Sequence, residues 1–135
     1  MEVGVLKEFI ENDPFLKLLG VRVEKIQAGS CRLSLNYKKE LTRFGNILNG
    51  GVTAALADAA GGCAALSYNL GKNEVTVDLS VSYLRPISEG KVSAESSILK
   101  GGESIAFTIT NVYDGKGNLC AVAKGTYFYL NEFNI

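Results

Sequence analysis

The sequence predicts an α+β fold, with an antiparallel sheet packed around one long helix, and three observations predict it. Apolar and polar residues alternate in six separate segments, the pattern of strands that bury one face. A single alanine-rich run, residues 49–68, breaks that alternation. The N-terminal stretch instead carries apolar residues at spacings of three and four, as short amphipathic helices do. With 135 residues, 47% of them hydrophobic, the chain has the size and apolar content of a single domain spanning residues 1–135.

Taken in order, Val3, Leu6, Phe9 and Ile10 recur at helical spacing. Asp13-Pro14 reads as an N-cap followed by proline at the first helical position, so a second short helix covers Pro14–Leu19 and stops at Gly20. Val21 and Val23 then open a strand, Ala28-Gly29-Ser30 turns the chain, and Cys31, Leu33, Leu35 and Tyr37 share one face of the returning strand. The run from Val52 through Asp58 to Leu66 is rich in alanine, the best helix former. It is small and apolar on nearly every side, which predicts a helix contacted all round rather than along one stripe. Four strands follow: Val75, Val77, Leu79, Val81 and Tyr83 alternate, and residues 92–99, Ile105–Tyr113 and Leu119–Tyr129 continue the pattern. Lys100-Gly101-Gly102-Glu103 and Asp114-Gly115-Lys116-Gly117-Asn118 supply glycines for positive φ, which predicts antiparallel hairpins between successive strands.

Composition narrows the function. Lys plus Arg number 14 and Asp plus Glu number 14, so no overall field gathers nucleic acid or an anionic membrane, and neither is an expected partner. An anionic ligand has to be met by local cations. No apolar run approaches the roughly 20 residues of a bilayer span, and the N-terminus has no signal-peptide core, so the expected location is cytoplasmic. Cys31, Cys63 and Cys120 have no CxxC spacing and read as small core residues rather than zinc ligands or disulfide partners. The chain contains no histidine, which removes Ser-His-Asp and Cys-His nucleophiles, His-ligated metals and His proton shuttles together. No metal site and no cofactor are expected. Chemistry has to come from carboxylates, hydroxyls, amides or lysine.

Asp58 is the anomaly, a carboxylate among alanines in the middle of the long helix. An unpaired buried charge is expensive. Asp58 is therefore at a partly exposed helix position, or satisfied by a structural hydrogen bond, or kept in a cleft as a base or nucleophile. Upstream stands Asn49-Gly50-Gly51, where Asn49 can cap the helix and the glycines let a substrate approach backbone amides closely. A double glycine alone is commonly no more than a turn. The N-terminus of a buried helix offers free N–H groups to a developing oxyanion. Seven residues separate Gly51 from Asp58, about two helical turns, so one side of the helix carries both features. Without histidine to protonate a leaving group, the fitting substrate is one whose leaving group needs little help. A thiolate, with a thiol pKa near about 8.5, favours thioesters over esters and amides.

Asn49-Gly50-Gly51 followed by Leu56-Ala57-Asp58 resembles the His-Gly-Gly…Asp signature of hotdog-fold acyl-CoA thioesterases of the phenylacetic-acid-degradation, PaaI-like type. The resemblance covers most of the chain. Asp13-Pro14-Phe15-Leu16-Lys17-Leu18-Leu19-Gly20 is similar to the family's N-terminal segment, and Val75-Thr76-Val77-Asp78-Leu79 through Tyr83-Leu84-Arg85-Pro86 to its strand after the helix. The resemblance implies a sheet wrapped around the helix, dimers joined sheet edge to sheet edge, and active sites between subunits. It implies that the Gly50 amide polarises the thioester carbonyl, that Asp58 attacks or activates water, and that Thr76 stands where a family serine helps hold that water. Asn49 replaces the usual histidine. The family's upstream asparagine has no counterpart: depending on a one-residue gap, its place is taken by Arg43 or Thr42, with Asn46 nearby.

Coenzyme A, as part of the substrate, would bring phosphates. Arg43, Arg85 and Lys100 are candidate contacts, with Gly51 beside the thioester. Tyr37, Phe44, Tyr68 and Tyr83 are candidates to line an aromatic-tolerant acyl pocket. The expected function is hydrolysis of an aryl or medium-chain acyl-CoA by a homodimer or homotetramer. Two other readings stand beside it: a non-catalytic acyl-CoA binder or sensor of the same fold, and a hotdog dehydratase or hydratase, which the missing histidine disfavours. Unpaired sheet edges and an apolar helix supply a physical motive for oligomerisation.

Overall fold

The computed structural model describes residues 2–130. Two short helices, α1 (Val5–Glu11) and α2 (Pro14–Leu19), precede the strands β1 (Arg22–Gln27) and β2 (Ser30–Asn36). Asp13 caps α2 as its sequence suggests, its Oδ1 accepting from the Phe15 and Leu16 amides at 3.1 Å each. In β2, Cys31, Leu33 and Leu35 are buried, whereas Tyr37 lies beyond the strand and donates its hydroxyl to the Asn46 carbonyl at 2.7 Å.

A 3-10 turn (Lys39–Leu41) leads into a small hairpin of β3 (Thr42–Arg43) and β4 (Ile47–Leu48), which the alternation did not reveal. Gly45 and Asn46 both take positive φ at its tip. Then comes α3 (Gly50–Tyr68), the long helix, followed by β5 (Glu74–Tyr83), β6 (Lys91–Gly101), β7 (Ile105–Tyr113) and β8 (Leu119–Tyr129).

The six long strands form one antiparallel sheet in the order β1-β2-β6-β7-β8-β5. The hairpins β6–β7 and β7–β8 pair in succession as their loops predict, but β5 does not pair with β6. It lies beyond β8, at the sheet's far edge. The two loops also differ in mechanism. Gly117 takes positive φ, while Gly101 does not; a Cβ at Gly101 would run into the Tyr68 ring, so that glycine serves a close approach.

Leu56, Ala57, Ala60 and Ala64 of α3 are wholly buried against the sheet and meet Leu33, Val92, Ala94 and Val112 in the core, while Ala65 packs with Ala106, Tyr127 and Tyr129. The expectation of contact on all sides holds for residues 60–65 of α3. In its first half, Ala54, Ala55, Asp58 and Ala59 are only half-buried, and a cavity lies between Ala55, Asp58 and Ala59 and the residues of α1 and α2. That opening is where Asp58 lies.

Candidate active site

α3 and β5 run side by side in opposite directions, and this fixes the site. Tyr83 sits at the N-terminus of α3 and donates its hydroxyl to the Gly50 carbonyl at 2.6 Å. Thr76 reaches Asp58, its Oγ1 donating to Asp58 Oδ1 at 2.8 Å. One helical turn further along, the Glu74 carboxyl lies over Gly62, where a Cβ would approach Glu74 Oε1 to 2.5 Å. From the sheet's interior, the Tyr127 hydroxyl lies 3.1 Å from Asp58 Oδ1 and 3.0 Å from the Asp58 carbonyl. Its ring lies against Gly61, where a Cβ would overlap it.

Asp58 thus has two hydroxyl donors on one carboxylate oxygen and faces a cavity of about 440 Å³. Phe9, Ile10, Phe15 and Leu16 from the N-terminal helices form its apolar wall, and Leu66 and Cys63 extend it along α3. Burial, with the Asp58 charge beside it, pushes the Tyr127 phenol up, so Tyr127 remains a donor at any ordinary pH. Burial also pushes Glu74 up, to about 7, and the Asp58 charge adds to the effect. Neither Glu74 nor Tyr127 was singled out from the sequence. The signal was present in Gly61-Gly62, two glycines inside a helix, each costing about 0.5–1 kcal/mol against alanine unless a neighbour needs the space. Glu74 also stands two residues before Thr76, hence on the same strand face.

At the other end of α3, Asn49 is the N-cap and its Oδ1 accepts from the Gly51 amide at 2.7 Å. The Gly51 amide is thereby occupied. The Gly50 amide has no hydrogen-bond partner among the described residues and borders a second cavity of about 360 Å³. Arg43 and Arg85 line that cavity too, and Arg43 stacks over the Phe44 ring at 4.0 Å. Lys100, toward the far end of β6, lines neither cavity, and Asn46 serves the hairpin tip. Thr42 donates its hydroxyl to the Lys39 carbonyl. Of the proposed aromatic lining, none borders the Asp58 cavity: Tyr83 covers Gly50, Tyr68 packs on Gly101, Tyr37 holds the hairpin, and Phe44 is 85% exposed. Phe9 and Phe15 stand there instead.

Gly50 and Asp58 are eight residues apart, about 12 Å along the helix axis, and open into different cavities. Sharing a side of the helix therefore does not bring them onto one carbonyl group within a single chain.

A sheet wrapped round a central helix, with a carboxylate in that helix and a free amide at its N-terminus, defines a hotdog protein built for acyl chemistry. A family model of the thioesterase superfamily matches residues 45–121. A Saccharolobus solfataricus protein named as an inferred esterase is 33% identical over 134 residues, covering 99% of this chain and 89% of the relative. The medium/long-chain acyl-CoA thioesterase YigI of Salmonella typhimurium is 28% identical over 137 residues, covering 88% and 87% of the two chains. The PaaI protein of the E. coli phenylacetic acid degradation operon superposes with a TM-score of 0.89 at 19% identity, over 96% and 95% of the chains. The chain belongs to the thioesterase superfamily, with the hotdog fold, and is a thioester hydrolase.

Proposed function

We propose that the protein hydrolyses acyl-CoA thioesters, with Asp58 as general base or nucleophile and the Gly50 amide polarising the carbonyl. The observation that carries this reading is the Asp58 carboxylate itself, fixed by Thr76 and Tyr127 at the mouth of a cavity with an apolar wall. The unpaired Gly50 amide, at the positive end of a 19-residue helix, suits a developing oxyanion. Arg43 and Arg85 beside it suit the phosphates of coenzyme A. The name of the Salmonella relative supports acyl-CoA as the substrate class.

Because Gly50 and Asp58 do not converge within one chain, the complete site takes Asp58 from one copy and Gly50 from another. The β5 edge supports such a dimer. Among the described residues its outer side has no strand partner, and Val77 and Tyr83 are 60% and 54% exposed. The test is thiol release from short, medium, long and aryl acyl-CoAs. Wild type should turn over at least one class. Asp58→Asn, which keeps the shape and loses the base, should fall by at least about a hundredfold. Near-full activity in that variant would remove Asp58 from the chemistry.

A further inference from the structure

The thioesterase reading leaves Glu74 without a role, although its carboxyl faces the same cavity as Asp58. Asp58 and Gly62 are successive residues on one face of α3, while Thr76 and Glu74 are successive residues on one face of β5. Thr76 touches Asp58 and Glu74 lies over Gly62, so the two carboxyls are offset by one turn of α3, with the cavity in front of both. A thioester lying in that cavity would turn its carbonyl carbon to one group and its sulfur to the other. The side chain of Glu74 has no hydrogen-bond partner among the described residues, whereas Asp58 has two hydroxyl donors. The Thr76 and Tyr127 hydroxyls serve Asp58, and the Tyr129 hydroxyl is given to the Ala65 carbonyl.

We propose that Glu74 is a second catalytic carboxyl, which enters the reaction protonated and gives its proton to the departing sulfur. The proposal rests on the thioesterase reading. In the general-base route, Asp58 takes one proton from water as the water oxygen bonds to the carbonyl carbon. When C=O re-forms, the C–S bond breaks, and sulfur leaves with the bonding pair and takes the Glu74 proton. The products are the acid and the thiol. The proton now on Asp58 returns to Glu74 through water in the cavity, and both groups are reset. Burial that favours the protonated form of Glu74 suits it to the acid's part in such a pair.

The groups facing Glu74 are Asp58 on α3, Tyr127 and Tyr129 on β8, and Asp13 at the start of α2 across the cavity. Since Glu74 is pushed up to about 7, it holds its proton below that pH and loses it above. The acid role is therefore present in mildly acidic solution and fades through neutrality.

The test compares wild type, Glu74→Gln and Gly62→Ala on one acyl group attached to two thiols, coenzyme A and the more acidic 4-nitrothiophenol. With the CoA thioester at pH 6, Glu74→Gln should lower kcat by about tenfold, at the low end for general acids because a thiolate needs little help. KM should not change. With the nitrothiophenyl ester the loss should shrink to within about twofold, because that leaving group needs no proton. The wild-type decline in kcat above pH 7 should disappear in the variant. Gly62→Ala, which displaces the Glu74 carboxyl without removing it, should show the same leaving-group dependence. Equal losses on both esters, or an unchanged pH profile in Glu74→Gln, would overturn the proposal while leaving the thioesterase reading intact. Absence of turnover by wild type would sink both.

Discussion

A carboxylate among alanines has no donors on its own helix surface, and Asp58 finds them across the groove in Thr76 and Tyr127. Removing one of these hydroxyls should misorient the base rather than unfold the chain. Tyr127→Phe is expected to lower kcat by about tenfold, the value of one hydrogen bond to a charged group, with little change in KM. Gly61→Ala tests the packing that allows this contact. In an open helix the change would stabilise, but here the new methyl meets the Tyr127 ring, so a loss of about 1–3 kcal/mol is expected in chemical denaturation. Glu74 gives a stability signature of its own. Its folded pKa lies above that of the unfolded carboxyl, so the folded state holds more protons between about pH 4.5 and 7. Stability from this group is complete below that window, falls as pH rises through it, and levels off above, by a total on the order of 3 kcal/mol. Glu74→Gln should flatten that slope in denaturation curves measured from pH 4 to 8. Asp58, Asn49, Gly50 and Thr76 were legible in the sequence because they sit in a short motif and at a recognisable strand position. Tyr127 was not, since 69 residues separate it from Asp58 and only the fold joins them.

At the scale of elements, short signals with a strong local cause read well. Asp13-Pro14 marks the start of α2 because the carboxylate satisfies two amides that have no helical partner. Asp13→Ala should therefore cost about 1 kcal/mol by thermal or urea unfolding. The six long strands and α3 were legible from their periods. The β3–β4 hairpin was not, because strands of two residues leave no alternation to detect. The place of β5 was also hidden. Its alternation identifies a strand but carries nothing about whether β6 or β8 is its neighbour, and the seven-residue link after Tyr83 is long enough for either. That placement matters, since it sets Thr76 and Glu74 against α3 and leaves an edge open.

For the whole molecule, the separation of Gly50 from Asp58 makes assembly part of the proposed mechanism. One chain places Asp58 in one cavity and the Gly50 amide in another, and under the proposed mechanism pairing along the open β5 edge would supply each with its complement. Sedimentation at micromolar concentration should show a dimer or a multiple of it. The shared site is tested most directly by mixing two dead variants. Gly50→Pro removes the amide donor at a helix position that tolerates proline. Asp58→Asn removes the base. If each site takes one group from each chain, dissociating and reassociating an equal mixture regenerates one intact site in every mixed dimer, so acyl-CoA hydrolysis should return to about a quarter of the wild-type rate. A mixture that stays as inactive as its components, although sedimentation or mass analysis shows mixed dimers present, would contradict the shared site.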